Sequence, residues 1–221
     1  MTRIHLAFGG PDWEARYDVA VLRPADRSRA EQWRSRNALR DWRVSRALLS
    51  WTSNDAGLEA AANVCLSHRS GHALVALGPE GIALGVDLEQ CLPRDIGAFA
   101  QWVCSAHERD ALQALNAPER LHWFYVLWTL KEAFLKAAGL DFPADMPRVG
   151  LQGPGPLADA SLAAPPGMWR AQVYQPQEAW VAAVVWRVER GVAPPCVDDA
   201  PMWCSPAGVP RLLGEWCTQA E

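Results

Sequence analysis

Five side chains of this sequence have the types and spacing that metal and phosphate chemistry requires. Asp87 and Glu89 lie two residues apart, and further along the chain Glu132 lies four residues before Lys136, with Lys131 beside it. Mg²⁺ in proteins takes hard oxygen ligands, usually one or two carboxylates together with waters and substrate phosphate oxygens. Three carboxylates and two lysines are therefore enough to hold a divalent metal against a phosphate.

The first two acids lie in a segment whose alternation predicts a β-strand. From residue 82 to residue 89, apolar side chains face one way, while Gly85 and the acids face the other. Residues i and i+2 of a strand share a face, with Cα atoms roughly 6.6 Å apart, so Asp87 and Glu89 can converge on one ion. Gly85 would let a ligand or a neighbouring backbone approach closely. The alternative is that both acids lie on the solvated face of an antiparallel strand.

The third acid lies in a segment that is predicted to be a helix. Its apolar side chains form one stripe that should face the core: Trp123, Leu127, Leu130, Phe134 and Ala137. Glu132 and Lys136 fall on the opposite side with Trp128 beside them, and Lys131 lies at the border. An exposed Glu–Lys pair, worth a few tenths of a kcal/mol, explains Glu132 and Lys136 but leaves the bulky Trp128 unexplained.

In this order and at this spacing, the motifs resemble those of a known family. The segments are Leu66-Ser67-His68, Gly85-Val86-Asp87-Leu88-Glu89, Phe124-Tyr125 and Trp128-Thr129-Leu130-Lys131-Glu132-Ala133-Phe134-Leu135-Lys136. Over roughly residues 20 to 190, the chain resembles the 4′-phosphopantetheinyl transferases of the surfactin-synthetase-activating class. The resemblance implies an α+β fold, in which two similar α/β halves form a pseudodimer with the active site in the cleft between them.

The same resemblance implies a reaction. The phosphopantetheine arm of coenzyme A would be transferred to a serine of an apo acyl or peptidyl carrier protein, with release of 3′,5′-ADP. The reaction would depend on Mg²⁺, with Mn²⁺ as the alternative ion. The carrier and its pathway are not specified by the resemblance.

Roles for individual side chains follow from the resemblance, position by position. The implied metal ligands are Asp87, Glu89 and Glu132. The implied catalytic residues are Glu132, Lys136 and Glu108, and the implied contacts to coenzyme A are Arg40, Ser67, His68, Lys131 and Lys136. Glu132, or a metal-bound water that it orients, would accept the proton of the carrier serine. Lys136 would stabilise the charge that develops on the phosphate.

Three of these residues also have a structural interpretation. Ser105 and Glu108 have the S-x-x-E spacing of a capping box at a helix start, a role that can coexist with a catalytic one. Lys131 flanks the site, and its alternative role is structural. A histidine that follows an apolar strand, as His68 does, is usually a satisfied structural residue.

After the acidic strand and the helix with Glu132, an arginine-rich segment is the third feature of the sequence that suits the binding of an anion. Eight arginines and three acids lie between residues 23 and 46, although the whole chain has a net charge of −4. A local positive stripe on a negative protein suits a compact anion, while a solvated face explains most of these arginines. Arg40 is the best candidate for a contact to the nucleotide end of coenzyme A. The G-K-P segment that the family usually has before Ser67 is missing from residues 54–63, so affinity there should rest on the arginines or be weaker.

Length and composition bear on the domain organisation and on the state of the cysteines. The chain has 221 residues, half of them apolar, which suits one large domain or two small halves. We predict an N-terminal half at 1–97, a C-terminal half at 98–190 and a proline-rich tail at 191–221. The six cysteines form no C-x-x-C pair and suggest reduced thiols.

Location and partners are predicted from the same features. The sequence has no apolar run of about 18 residues and no signal-peptide pattern at its start. We therefore expect a cytoplasmic monomer with coenzyme A and a carrier protein as partners, and with no nucleic-acid or membrane partner.

Periodicity predicts the following elements. Extended segments are expected at 3–8, 15–22, 64–66, 73–77, 82–89, 169–174 and 179–189, helices at 27–52, 106–115 and 119–138, and a loop at 152–167. Beyond residue 191 no clear period is present.

Two other functions remain open. A non-catalytic module of the same fold would hold coenzyme A or a carrier protein without turnover. An unrelated metal-dependent phosphohydrolase would hydrolyse coenzyme A without an acceptor.

Overall fold

A computed structural model describes residues 3–30, 32, 35–57, 63–153, 155–188, 201–204 and 208–218. Helices and strands are mixed, so the predicted α+β class is confirmed. The chain forms two compact units: the first comprises residues 1–80 and 199–209, and the second comprises 81–198 and 210–221.

The elements are numbered in chain order. The strands are β1 (His5–Gly9), β2 (Asn63–Arg69), β3 (His72–Gly78), β4 (Leu84–Gln90), β5 (Gly150–Gln152), β6 (Ser161–Ala163), β7 (Met168–Gln175), β8 (Trp180–Val188), β9 (Met202–Trp203) and β10 (Arg211–Cys217). The α-helices are α1 (Pro24–Arg27), α2 (Arg36–Asp55), α3 (Gly97–Val103), α4 (Ala106–Gln113) and α5 (Ala117–Ala138). Short 3₁₀ turns lie at Pro11–Arg16, Val19–Val21, Met146–Arg148 and Leu157–Asp159.

The first unit is a four-stranded sheet with the strand order β2-β3-β1-β9. β3 pairs antiparallel with both β1 and β2, and β1 pairs parallel with β9. Helix α2 packs on this sheet through apolar side chains such as Val44 and Leu48, which share a core with Val75 and Leu77. Ser35 caps the helix, because its hydroxyl accepts a hydrogen bond from Ala38 N.

The second unit is a four-stranded antiparallel sheet with the order β10-β7-β8-β4. Helix α5 lies on β4 and β8. It begins at the Asn116 cap, whose side chain accepts from Glu119 N, and it ends at Gly139, which has a φ of 64°. The predicted apolar stripe is confirmed at its centre, where Leu127, Leu130 and Phe134 are wholly buried.

Most of the predicted elements are present, and the hairpin of β7 and β8 is among them. The prediction of an extended segment at 15–22 is wrong, because 3₁₀ turns occupy Pro11–Arg16 and Val19–Val21. Pro11 fixes the backbone at the start of the first turn, and the Asp18 side chain accepts from Ala20 N at the start of the second.

Two other element predictions need correction. The single helix predicted at 27–52 is instead a short α1 followed by α2, which starts at its own cap and runs on to Asp55. The loop predicted at 152–167 contains β6, which pairs with β5. In the tail, β10 pairs with β7, although its sequence shows no period. Residues 191–200, 205–207 and 219–221 of the predicted tail lie outside the described residues.

The predicted N-terminal half at 1–97 and C-terminal half at 98–190 stay a prediction. Among the described residues, no helix has the length and apolar character that crossing a bilayer requires. The five described cysteines are free thiols.

Candidate functional site

A glycine sets the contact between strand β4 and helix α5. A Cβ at Gly85 would overlap the carbonyl oxygen of Ala133 and would lie 2.6 Å from Ala137 N. No larger residue fits there without a shift of the backbone, so the predicted close approach at Gly85 is confirmed, and the approaching backbone is that of α5. The face of β4 that carries Asp87 is therefore the face that α5 covers.

Asp87 is held by a lysine of that helix. Its side chain is buried, and its Oδ1 lies 2.8 Å from Nζ of Lys136, which also donates to the backbone oxygen of Val86 at 3.0 Å. The alternative that Asp87 lies on a solvated face is therefore wrong. The sequence-predicted Asp87 and Lys136 are brought together across 49 residues of chain.

Glu132 is electrostatically coupled to this pair. Burial raises the pKa of the Glu132 carboxyl, the negative charge of Asp87 raises it further, and the positive charge of Lys136 partly offsets both effects. The carboxyl is only partly exposed. A carboxyl with a raised pKa holds a proton more readily than an ordinary glutamate, which suits a general base or acid.

Glu89 lies two residues beyond Asp87 on β4 and pairs in register with Val181 of β8. Its side chain is partly exposed. Burial raises the pKa of the Cys91 thiol to about 11, and the negative charge of Glu89 raises it further. The structure thus places Glu89 on the same strand face as Asp87 and nearer the surface.

The donor chemistry of these acids fits a hard divalent cation. All the donors are carboxylate oxygens, and the mutual repulsion of Asp87 and Glu132, seen in the raised pKa, is what a cation between them would relieve. Within the described ranges, no three His, Cys, Asp or Glu side chains are already arranged to hold a metal. The three-carboxylate site of Asp87, Glu89 and Glu132 is therefore not preformed, and the Lys136 ammonium is bound to Asp87 Oδ1.

Glu108 and Lys131 lie together in the interior of the second unit. Both side chains are wholly buried, and Lys131 Nζ lies 2.8 Å from Glu108 Oε2. The same ammonium donates to the backbone oxygens of Met146, at 2.9 Å, and Val149. With three acceptors for its three protons, Lys131 has the structural role that was its alternative. Its predicted contact to coenzyme A does not fit this arrangement, because the ammonium is enclosed.

The capping box predicted for Ser105 and Glu108 is confirmed. Glu108 N donates to Ser105 Oγ at 3.3 Å, and Ser105 N donates to Glu108 Oε2 at 2.7 Å. Glu108 Oε1 also accepts from Leu151 N at 2.9 Å, which ties β5 to the start of α4. The carboxylate thus serves several structural partners, and its catalytic role stays a prediction.

In the first unit, the structure brings Arg40 to the hairpin that carries Ser67 and His68. These two residues lie on β2, in register with Leu74 and Ala73 of β3. At the turn, Gly71 has a φ of 78°, and a Cβ there would lie 3.0 Å from Arg40 Nε. The Arg40 side chain of α2 therefore lies against the tip of the Ser-His hairpin.

Other arginines of the same segment are engaged locally. Arg43 Nη1 lies 3.2 Å from Glu14 Oε1, and Arg46 Nε lies 2.9 Å from the buried carboxylate of Asp26. Arg40 Nε is 3.9 Å from Asp41 Oδ1, which accepts from Gly71 N. The solvated-face interpretation therefore does not hold for Arg46, and Arg40 remains the candidate nearest to the Ser-His motif.

The sequence patterns described above did not predict the aromatic side chains that surround Trp128. The Trp128 ring lies between those of Phe99 and Phe142, with a centroid distance of 6.3 Å to each. The spacing of Phe99 and Trp102, at i and i+3, was the available signal, since such residues share one face of a helix.

Comparisons with known proteins match this part of the chain. Residues 83–185 match the model of the 4′-phosphopantetheinyl transferase superfamily. A protein of Synechocystis sp. that is provisionally named a 4′-phosphopantetheinyl transferase is 39% identical over 75 residues, which are 34% of this chain and 30% of that protein. A 4′-phosphopantetheinyl transferase of Bacillus subtilis is 36% identical over 74 residues, which are 33% of each chain.

The matched segments thus span about a third of each relative. The family-model match contains strand β4, helix α5 and the Asp87, Glu132 and Lys136 side chains described above. The similarity of this chain to the 4′-phosphopantetheinyl transferase superfamily thus covers residues 83–185.

Proposed function

We propose that this protein transfers the 4′-phosphopantetheine arm of coenzyme A to a serine of an apo carrier protein, in a magnesium-dependent reaction. The observation that carries the proposal is the grouping of Asp87, Glu132 and Lys136 at the contact of β4 and α5, inside the segment that matches the superfamily. The names of both relatives support the same activity.

The proposed chemistry breaks one bond and forms one. The serine oxygen of the carrier attacks the phosphorus that bears the pantetheine arm, and 3′,5′-ADP leaves with the bridging oxygen. Glu132 accepts the serine proton, because its raised pKa matches a proton acceptor near neutral pH better than that of an ordinary glutamate does. Lys136 stabilises the negative charge that develops on the phosphate oxygens.

Asp87, Glu89 and Glu132 are the proposed ligands of Mg²⁺, with Mn²⁺ as an alternative. The ion would supply a positive charge at the pyrophosphate of coenzyme A. Asp87 is already positioned by burial and by Lys136, whereas Glu89 lies at the more exposed end of the strand. We expect Lys136 to exchange its contact with Asp87 for one with the pyrophosphate when the co-substrate binds.

We propose that residues of the first unit also contact coenzyme A. Arg40, Ser67 and His68 would contact the phosphates at the nucleotide end. Their support is the closeness of Arg40 to the hairpin turn. Part of the segment in which the family usually has its G-K-P lies at residues 58–62, outside the described residues.

We further propose that the protein belongs to the surfactin-synthetase-activating class and forms a pseudodimer of two similar halves with the active site between them. We also propose a cytoplasmic location and a monomeric state. A non-catalytic binding module on the same fold is the alternative function, and it would bind coenzyme A or a carrier without releasing 3′,5′-ADP.

The experiment is incubation of the protein with coenzyme A, Mg²⁺ and a panel of apo carrier proteins, followed by intact mass measurement. We expect the mass of at least one carrier to rise by one phosphopantetheine, and chelation of the metal to stop the rise. The Glu132→Ala variant should give none, while the control Glu178→Ala, which changes an exposed loop residue, should behave as wild type. Binding without a mass change would favour the non-catalytic module, and hydrolysis of coenzyme A without a carrier would favour a phosphohydrolase.

A further inference from the structure

The Phe124-Tyr125 motif has no role in the chemistry proposed above. Tyr125 lies on helix α5, seven residues before Glu132, and its side chain is buried. Because seven residues are close to two full turns of an α-helix, Tyr125 and Glu132 lie on the same side of α5. The Tyr125 hydroxyl is therefore carried by the side of the helix that also carries the acidic group.

The Tyr125 hydroxyl binds the chain just beyond strand β4. It accepts a hydrogen bond from Leu92 N at 3.2 Å and donates one to the backbone oxygen of Leu92 at 3.0 Å. A hydroxyl can donate and accept at once, so one side chain satisfies both backbone groups of Leu92. The pairing of β4 with β8 ends at Gln90 and Trp180. The hydroxyl thus continues the hydrogen bonding of this chain segment after the strand has ended.

Helix α5 therefore holds this stretch of chain at two points, one on either side of Glu89. Before Glu89, Lys136 Nζ lies 2.8 Å from Asp87 Oδ1. After Glu89, the hydroxyl of Tyr125 binds Leu92, three residues further along the chain. Since both contacts come from one helix, the backbone at Glu89 cannot move along the strand direction unless one of them breaks.

Both partners of the hydroxyl contact are held by further interactions. The ring of Tyr125 lies edge-on to that of Phe124, with centroids 5.8 Å apart, and the Arg94 guanidinium lies 5.7 Å from the Tyr125 centroid. On the sheet side, Cys91 N donates to the backbone oxygen of Ala179 at 2.7 Å. The hydroxyl therefore has a definite position, and the segment that it binds is also fixed to the sheet.

We propose that Tyr125 is a positioning residue for Glu89. Its hydroxyl fixes the chain after β4 so that the Glu89 carboxylate can reach an ion held by Asp87 and Glu132. Glu89 is partly exposed and lies next to the last residue of β4, so it depends on what fixes the chain beyond the strand. Hydrogen-bonding groups behind metal ligands commonly change metal affinity by about 10–100-fold when they are removed. This inference rests on the proposed function, because it concerns a ligand of the proposed ion.

Titration with Mn²⁺ alone, followed by electron paramagnetic resonance of the free ion, tests the inference without turnover. Tyr125→Phe keeps the buried ring and removes the hydroxyl, and we expect it to raise the Kd for Mn²⁺ roughly tenfold. Glu89→Gln should also raise the Kd. The double variant should bind Mn²⁺ no more weakly than Glu89→Gln does, because the hydroxyl acts only through that carboxylate.

Tyr174→Phe is the matched control. It removes another buried tyrosine hydroxyl of the same unit, which lies 2.6 Å from Gln172 Oε1, and it should leave the Kd for Mn²⁺ unchanged. A second measurement follows the proposed contact itself. Amide hydrogen exchange at Leu92, measured by NMR on the folded proteins, should be faster in Tyr125→Phe than in wild type and unchanged in Tyr174→Phe.

Several outcomes would overturn the inference. An unchanged Kd in Tyr125→Phe, with faster exchange at Leu92, would show that the hydroxyl holds the chain without positioning Glu89. If Tyr125→Phe weakened Mn²⁺ binding equally with and without Glu89, or if it did not fold, Tyr125 would be a residue of the fold alone.

The mass assay on apo carriers separates this inference from the proposed function. A wild type that modifies carriers but does not bind Mn²⁺ alone would contradict the role of Tyr125 and leave the proposed function standing. A wild type that binds Mn²⁺ and modifies no carrier would contradict the proposed function, and the Mn²⁺ titration of the four proteins would still decide the role of Tyr125.

Discussion

Lys136 Nζ lies 2.8 Å from Asp87 Oδ1, and this contact joins the end of helix α5 to strand β4. The two residues belong to separate sequence motifs, so their contact shows that the motifs form one group in the fold. Lys136 is about one-third exposed, whereas Asp87 is nearly buried. The lysine can therefore meet a ligand from solvent while its partner stays fixed in the sheet.

Replacing Lys136 should reduce turnover far more than folding. We expect Lys136→Met to lower kcat by about 10²–10³-fold, because one preorganised positive charge at the reacting phosphate is lost. Lys136→Arg, which keeps the charge, should retain more activity than Lys136→Met. Steady-state kinetics with coenzyme A and an apo carrier provide the measurement. A Lys136→Met enzyme within a few-fold of wild type would show that this lysine serves only to hold Asp87.

We expect the metal-free wild-type protein to be less stable at neutral pH than the Glu132→Gln variant, which has an uncharged side chain at this position. Because the folded-state pKa of Glu132 is raised above the ordinary value, the folded state binds more protons than the unfolded state between the two pKa values. The free energy of unfolding therefore falls as pH rises through this interval. Glu132→Gln should raise the free energy of unfolding at pH 7, and the gain should vanish below about pH 4, where the carboxyl is protonated in both states.

Urea denaturation in the presence of a chelator measures this difference. Glu178→Gln, at an exposed loop position, serves as the control and should show no pH-dependent gain. Adding Mg²⁺ should stabilise wild type and have less effect on Glu132→Gln, since a ligand is lost. Destabilisation of Glu132→Gln at pH 7 would contradict the repulsion from Asp87.

The buried pair of Lys131 and Glu108 should be important for stability rather than for coenzyme A binding. Lys131→Met leaves the Glu108 carboxylate buried without its counter-charge, which should cost about 3–5 kcal/mol of unfolding free energy. Adding Glu108→Gln to Lys131→Met should recover part of the loss. The exposed ion pair of Arg148 and Asp145 is the control, and Arg148→Met should cost less than about 1 kcal/mol. A stable Lys131→Met protein with a much higher KM for coenzyme A would instead support the contact to the co-substrate.

Arg40 and His68 should recognise the 3′-phosphate of coenzyme A. Arg40→Ala or His68→Ala should raise KM for coenzyme A more than KM for dephospho-coenzyme A, which lacks this group. A charge-assisted contact of about 1.5–3 kcal/mol would be lost only with the ligand that has the partner. Arg43→Ala is the matched control, because Arg43 lies on the same helix and pairs with Glu14. If both ligands lost affinity equally, these residues would serve the pyrophosphate or the fold.

Local periodicity was sufficient to predict much of the second unit. Helix α5 has a clear apolar stripe, a cap at Asn116 and a glycine at its end, so sequence alone indicates its extent and buried face. Strand β4 alternates in the same clear way. The prediction of an extended segment at 15–22 was wrong, because Pro11 and Asp18 start 3₁₀ turns that turn the backbone locally.

Local sequence patterns do not predict contacts between residues that lie far apart in the chain. Lys131 and Glu132 are adjacent in sequence, yet one ammonium is enclosed by Glu108 and two carbonyl groups while the neighbouring carboxyl remains partly exposed. Strand β10 owes its place to pairing with β7 rather than to its own periodicity. The contact of Arg40 with the Gly71 turn likewise depends on how α2 packs against β3.

The most direct test of the account is the mass of an apo carrier after incubation with coenzyme A, Mg²⁺ and either wild type or Asp87→Asn. Asp87→Asn removes one charge and leaves the side-chain shape nearly unchanged. We predict that wild type adds one phosphopantetheine to the acceptor serine, and that folded Asp87→Asn adds none in the same time at limiting Mg²⁺. Equal modification by the two proteins, or no modification of any carrier by wild type, would contradict the account.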